Sequence, residues 1–132
     1  MDLFLKEKDF NFERTDAEGR TVLCWAALSG HEGIVKLLLD QDQVDAESRG
    51  NDGRTPLSYA AEWGRVEAMK LFLEREEVNV ESRDKDGRTP LSYAARSWSK
   101  GAVSLLLERE EVNAESKDNN GRTPLSYAAR SG

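Results

Sequence analysis

Apolar residues along this chain fall into two alternating kinds of cluster, separated by polar stretches. In the first kind small residues dominate: Leu57, Ala60 and Ala61 follow one another at spacings of three and four, as do Leu91, Ala94 and Ala95. That spacing predicts one face of a short helix, and the alanines let a second helix come close. The second kind is aliphatic and broader. Ile34, Leu37 and Leu38 form one stripe, while Val35 and Leu39 form another, so this helix is apolar on more than one side. A surface helix needs only one such face. The economical explanation is a helix sandwiched between a preceding and a following unit, as in a solenoid.

The pattern is periodic. Gly-Arg-Thr recurs at Gly19, Gly53, Gly87 and Gly121, each 34 residues after the last. The last three copies widen to GRTPLSYAA, whereas the first reads GRTVLCWAA. A second block follows in each period: LLLDQDQVDAES from Leu37, LFLEREEVNVES from Leu71 and LLLEREEVNAES from Leu105. Thr55, Thr89 and Thr123 can cap orphan backbone donors, and Pro56, Pro90 and Pro124 suit the first helical position. Gly30, Gly64 and Gly132 suit the left-handed residue that closes a helix, and a second helix follows. Val78 to Gly87 is polar and turn-rich, a loop returning the chain to the next unit. The expected fold is an all-α solenoid of helix-turn-helix repeats. Its units are 19–52, 53–86 and 87–120, with partial repeats at 1–18 and 121–132.

The TPLSYAA blocks resemble the TPLHxAA signature of ankyrin repeats, and VNVES resembles the family loop that begins Val-Asn-Ala. The resemblance covers essentially the whole chain, and the GRTPLSYAA spelling is similar to long arrays of the fungal type. It implies two antiparallel helices per repeat and β-hairpin-like loops projecting from one side. It also implies a protein-protein interaction role, with the partner on a concave face built from loop tips and first helices. Two departures stand out. The period of 34 exceeds the about 33 usual in the family, with Glu74-Arg75-Glu76-Glu77 replacing a Gly-containing turn. Ser58, Ser92 and Ser126, with Cys24 in the first repeat, stand where the family usually has His, so the hydrogen bonding at the helix start must differ.

Leu3, Phe4 and Leu5 precede Gly19 as Leu71, Phe72 and Leu73 precede Gly87, so Met1 aligns inside a second helix. At the other end Ala128-Ala129-Arg130-Ser131-Gly132 stops after a first helix. Such half-repeats predict a fragment of a longer array and end-to-end self-association through uncapped faces. A genuine start at Met1, dressed by Lys6, Glu7 and Lys8, is the alternative.

Composition narrows the function. The 132 residues carry a net charge of −6 and a pI of about 4.9, which repels phosphate backbones, so no nucleic-acid partner is expected. No apolar run approaches the roughly 20 residues of a membrane span, and residues 1–10 lack a secretory core, so no membrane partner and an intracellular, cytoplasmic location are expected. Enzyme chemistry is not expected, because His31 is the single histidine and Cys24 the single cysteine. His31 opens a second helix and Cys24 fills a packing slot. One Cys and one His supply no zinc site, and the glycines form no phosphate loop, so neither metal nor cofactor is expected. Glu76, Glu77 and Glu81 return as Glu110, Glu111 and Glu115, a solvated face.

Positions that vary while the framework repeats are the candidates for partner binding. On the loop tips these are Asn51, Asp52, Lys85 and Asp86; after the Ala-Ala pairs come Leu28, Glu62, Trp63 and Arg96. Trp63 with Arg96 is the expected anchor, since Trp and Arg are enriched in interface hot spots. Arg20, Arg54, Arg88 and Arg122 are expected to form a structural ladder with acids such as Asp52 and Asp86, and Trp25, Tyr59, Tyr93 and Tyr127 a packed aromatic ladder. Trp98 stands in the slot of Gly30 and Gly64 and is a further candidate contact. It either keeps a left-handed backbone at a cost of about 1–2 kcal/mol or marks a rebuilt turn. The competing functional reading is a structural spacer within an array, with no partner of its own.

Overall fold

A computed structural model describes the backbone of residues 11–131 and the side chains of 11–129. Residues 1–10, with Leu3, Phe4 and Leu5, and the closing Gly132 lie outside the described residues. Among those described, seven helices occur and no strand. They are α1 (Val22–Ser29), α2 (Glu32–Leu39), α3 (Pro56–Glu62), α4 (Val66–Leu73), α5 (Pro90–Arg96), α6 (Lys100–Leu107) and α7 (Pro124–Ser131). The first helices α1, α3, α5 and α7 pack in one row, the second helices α2, α4 and α6 in another, and each pair packs across the rows. This is the all-α solenoid that the two kinds of apolar cluster predict.

The first row is tight because its contact residues are small: Ala26, Ala27, Ala60, Ala61, Ala94 and Ala95 are all buried. Behind them Leu23, Leu57 and Leu91 join Val35, Leu38, Met69, Phe72 and Leu106 in one continuous core. Each first helix starts on a threonine. The Thr21, Thr55 and Thr89 hydroxyls accept the amides of Cys24, Ser58 and Ser92 at 3.3–3.4 Å. Where histidine is usual, serine closes a local pair instead: the Thr55 hydroxyl meets those of Ser58 at 3.1 Å and Ser82 at 3.3 Å, joining helix start to returning loop. Cys24 takes a hydrogen bond from Thr21, and burial holds its thiol above the ordinary pKa, which disfavours the reactive thiolate.

The Glu74-Arg75-Glu76-Glu77 turn needs no glycine. Glu74 stays right-handed, and the Arg75 and Val78 amides fold back onto the Phe72 and Arg75 carbonyls at 3.0 and 3.3 Å. Each returning loop closes on itself, as where the Asp84 amide meets the Arg88 carbonyl at 3.0 Å. Neighbouring loop tips share one backbone bond: Asn51 to Glu18, Lys85 to Asp52 and Asn119 to Asp86, all at 2.8–2.9 Å. The hairpin-like loops are therefore linked turns rather than strands.

Trp98 keeps the left-handed backbone, with φ of 61°, beside 74° at Gly30 and 65° at Gly64. At those glycines a Cβ would run into the following unit, 2.8 Å from Arg65 Cδ and 2.8 Å from Ser99 Oγ. The turn is not rebuilt around the tryptophan; the strained backbone is retained and the indole stands 59% exposed.

Candidate partner-binding groove

Loop tips and first helices enclose a groove containing two adjoining clefts. The first is lined by Glu62, Trp63, Tyr93 and Arg96, so the expected anchor pair meets in one place. Trp63 follows the last residue of α3 and is 58% exposed; Arg96, the last residue of α5, is exposed beside it. The second cleft gathers Leu28, Asn51 and Asp52 with Trp25 and Tyr59, and shares Trp63 and Glu62 with the first. Lys85 and Asp86 sit exposed on the next tip but line neither cleft. Trp98 is brought to a different place. It borders an apolar hollow with Val103, Leu107, Pro124 and Leu125, away from the other candidates.

The arginine ladder is built as its periodicity suggests. Arg54 pairs with Asp52 at 2.7 Å and with Glu62, and Arg88 with Asp86 at 3.1 Å. Arg54 also stands over the rings of Tyr59 and Tyr93, at 5.5 and 4.7 Å. Burial opposes the charge of Arg54, yet the Tyr93, Glu62 and Asp52 oxygens hold its pKa above the usual value. The Tyr127 hydroxyl, accepting from Arg88 Nε at 3.1 Å, does the same for Arg88. Arg54 is thereby a fixed part of the groove wall, lining the second cleft.

The aromatic ladder corrects the packing expectation in one repeat. Tyr59, Tyr93 and Tyr127 are buried, but Trp25 is 44% exposed. Its larger ring extends past the slot that a tyrosine fills, lies 4.4 Å from the Arg20 guanidinium, and donates to Asp16 at 2.8 Å. Sequence reasoning missed Trp25 as a groove residue; the visible signal was Trp where the other repeats carry Tyr.

Among the described residues no group of His, Cys, Asp and Glu gathers to hold a metal ion, and no helix is long and apolar enough to cross a membrane.

No curated protein matches the chain. The family model described as ankyrin repeats in three copies matches residues 1–84 and again 75–132. With helix pairs stacked in two rows, threonine-capped first helices and loops linked tip to tip, the chain belongs to the ankyrin repeat family.

Proposed function

We propose that the chain binds a protein partner through this groove, with Trp63 and Arg96 at its centre. Ankyrin repeats are generally protein-interaction modules. The observation that carries the finer reading is Trp63: an indole 58% exposed, beside Arg96, over a framework whose other repeating aromatics are buried or tied down. An exposed Trp buries a large area while fixing only two torsions, and Arg adds a planar fork of donors, which is why both are enriched at interface anchors. Leu28, Glu62, Asn51 and Asp52 supply the polar and apolar rim, and Lys85 and Asp86 extend it along the tips. The partner is a protein rather than nucleic acid, because the net charge of −6 repels phosphate. Catalysis forms no part of this reading.

The spacer reading has one observation in its favour, the apolar hollow around Leu107 and Leu125, which offers a face for stacking or self-association. Affinity capture with the wild-type chain and with a Trp63→Ala, Arg96→Ala double variant separates the two. A reproducible partner lost in the double variant supports the groove. A partner retained at full strength, or none captured by either chain, supports the spacer.

A further inference from the structure

The four aromatic positions of the groove are not equivalent. Three are tied to a carboxylate of the loop before them: the Trp25 indole donates to Asp16 at 2.8 Å, the Tyr93 hydroxyl to Asp84 and the Tyr127 hydroxyl to Asp118. The corresponding residue before Tyr59 is Gly50. Tyr59 is only 4% exposed, and its hydroxyl has no hydrogen-bond partner among the described residues. The hydroxyl lies 2.5 Å from where a Cβ on residue 50 would stand, leaning into the space that an aspartate occupies elsewhere.

The arginine differs too. Arg88 Nε donates to the Tyr127 hydroxyl at 3.1 Å. Arg20 stands to Tyr59 in sequence as Arg88 stands to Tyr127, but its guanidinium is turned onto Trp25 and held by Asp16 at 3.0 Å and Glu18 at 2.7 Å. Tyr59 thus lacks both contacts that satisfy its counterpart. The hydroxyl opens onto the cleft rather than onto a protein group, so a ligand that brings a donor there finds an acceptor no other side chain uses.

Tyr59 lines the second cleft, about 580 Å³ in volume, between the exposed indoles of Trp25 and Trp63. Its charged lining is Glu18, Asp52 and Glu62 against Arg20 and Arg54, and each arginine is already paired with two carboxylates. Asp16 adds a further anion behind Trp25; the Arg20 amide and the Trp25 indole hold its carboxyl down to about 2. Negative charge is in excess, the Trp63 indole is exposed while Arg20 covers one face of Trp25, and a hydroxyl awaits a donor.

We propose that this cleft receives an arginine side chain of the protein partner. Its guanidinium stacks on Trp25 or Trp63, donates to the Tyr59 hydroxyl as Arg88 does to Tyr127, and pairs with Glu18 or Asp52. A planar fork of donors suits stacking and multiple acceptors at once, which a lysine ammonium does not. An acidic side chain would meet the carboxylate excess. This proposal rests on the groove reading and names the partner's chemistry within it.

The test uses four capped octapeptides of glycine and serine carrying two central arginines, lysines, citrullines or glutamates. Binding is read from the indole N–H resonances of Trp25, Trp63 and Trp98, assigned with single Trp→Phe variants. The arginine peptide shifts the Trp25 and Trp63 signals and leaves Trp98 in place. The citrulline and glutamate peptides bind at least about tenfold more weakly, and Tyr59→Phe, which removes one hydroxyl with no internal bond, weakens the arginine peptide about fivefold. Equal binding of arginine and citrulline, no effect of Tyr59→Phe, a shift at Trp98 alone, or no shift with any peptide overturns the proposal. A glutamate peptide that binds best at Trp63 overturns it while supporting the groove. The groove reading fails separately, when capture of a partner survives the Trp63→Ala, Arg96→Ala variant.

Discussion

The seam between neighbouring first helices and the groove beside it are built from the same helices under opposite constraints. Along the seam the residues repeat: Ala26-Ala27, Ala60-Ala61 and Ala94-Ala95 are buried in turn, because a larger side chain at any of them would push two helices apart. Along the groove the residues directly after each pair are Leu28, Glu62 and Arg96, which share neither size nor charge. The seam does not set their size, although Glu62 is drawn into the ion pair with Arg54. The difference separates positions that the stack constrains from positions that vary along it, and it can be attacked from either side.

The largest effect belongs to the core. Phe72 is fully buried between rows, and Phe72→Ala should cost about 3–5 kcal/mol, read from chemical denaturation. The groove substitutions should behave in the opposite way. Trp63→Ala with Arg96→Ala should shift the unfolding free energy by less than about 0.5 kcal/mol while costing at least about 2 kcal/mol of partner affinity by titration calorimetry. A stability loss comparable to that of Phe72→Ala would erase the distinction.

The aromatic ladder sharpens it within one structural position. Tyr93→Phe breaks the bond to Asp84 and should destabilise the fold by about 1–2 kcal/mol. Tyr59→Phe breaks no such bond and should change stability by less than about 0.5 kcal/mol. Equal costs would show that the Tyr59 hydroxyl is engaged after all. At Trp98 the expected change is a gain: Trp98→Gly relieves a left-handed tryptophan and should stabilise the chain by about 1 kcal/mol. A clear loss would mean that indole packing in the hollow outweighs the backbone strain.

The smallest effects are pH-dependent, and two kinds of carboxylate oppose one another. Asp16, lowered from 3.8 to about 2, contributes stability above its unfolded pKa that is lost as pH falls from about 4 to about 2. Glu47 and Glu81 are raised, chiefly by burial, so they favour the fold when protonated and lose that contribution as pH rises through 4.5 and above. Glu81 Oε2 accepts the Asn113 amide at 3.1 Å while its other oxygen is buried without a partner. Glu81→Gln keeps the acceptor and removes the charge, so it should stabilise the chain at pH 7, and the gain should shrink as falling pH protonates Glu81 itself.

The helix pairs, their threonine caps and the two apolar rows were legible in the sequence because each rests on a short-range rule repeated at a fixed period. Pro56 beside Thr55 and Gly64 after Glu62 mark a start and a stop without knowledge of any neighbour. The turn at Glu74 to Glu77 was not legible, since hydrogen bonds to Phe72 and Arg75 replace the left-handed glycine that a sequence signal would need. In the groove, Trp63 and Arg96 were readable from their variability, and the cleft joins them. Trp25 and the gap at Gly50 were not found, although both depart visibly from the repeat. Their meaning depends on which hydroxyl or indole reaches across to which loop, a distance that spacing alone does not encode. Trp98 shows the limit from the other side: its anomaly was plain in the sequence, but its position away from the groove follows only from the stack.

If recognition uses the groove, the outer row of helices stays uncovered when the partner binds. Carbene footprinting of the wild-type chain, with and without its captured partner, tests this most directly. Trp25, Trp63 and Arg96 should be protected, with Glu67, Lys70 and Ser104 on the second helices labelled as in the free chain. Protection of those second-helix residues with Trp63 still fully labelled would contradict it.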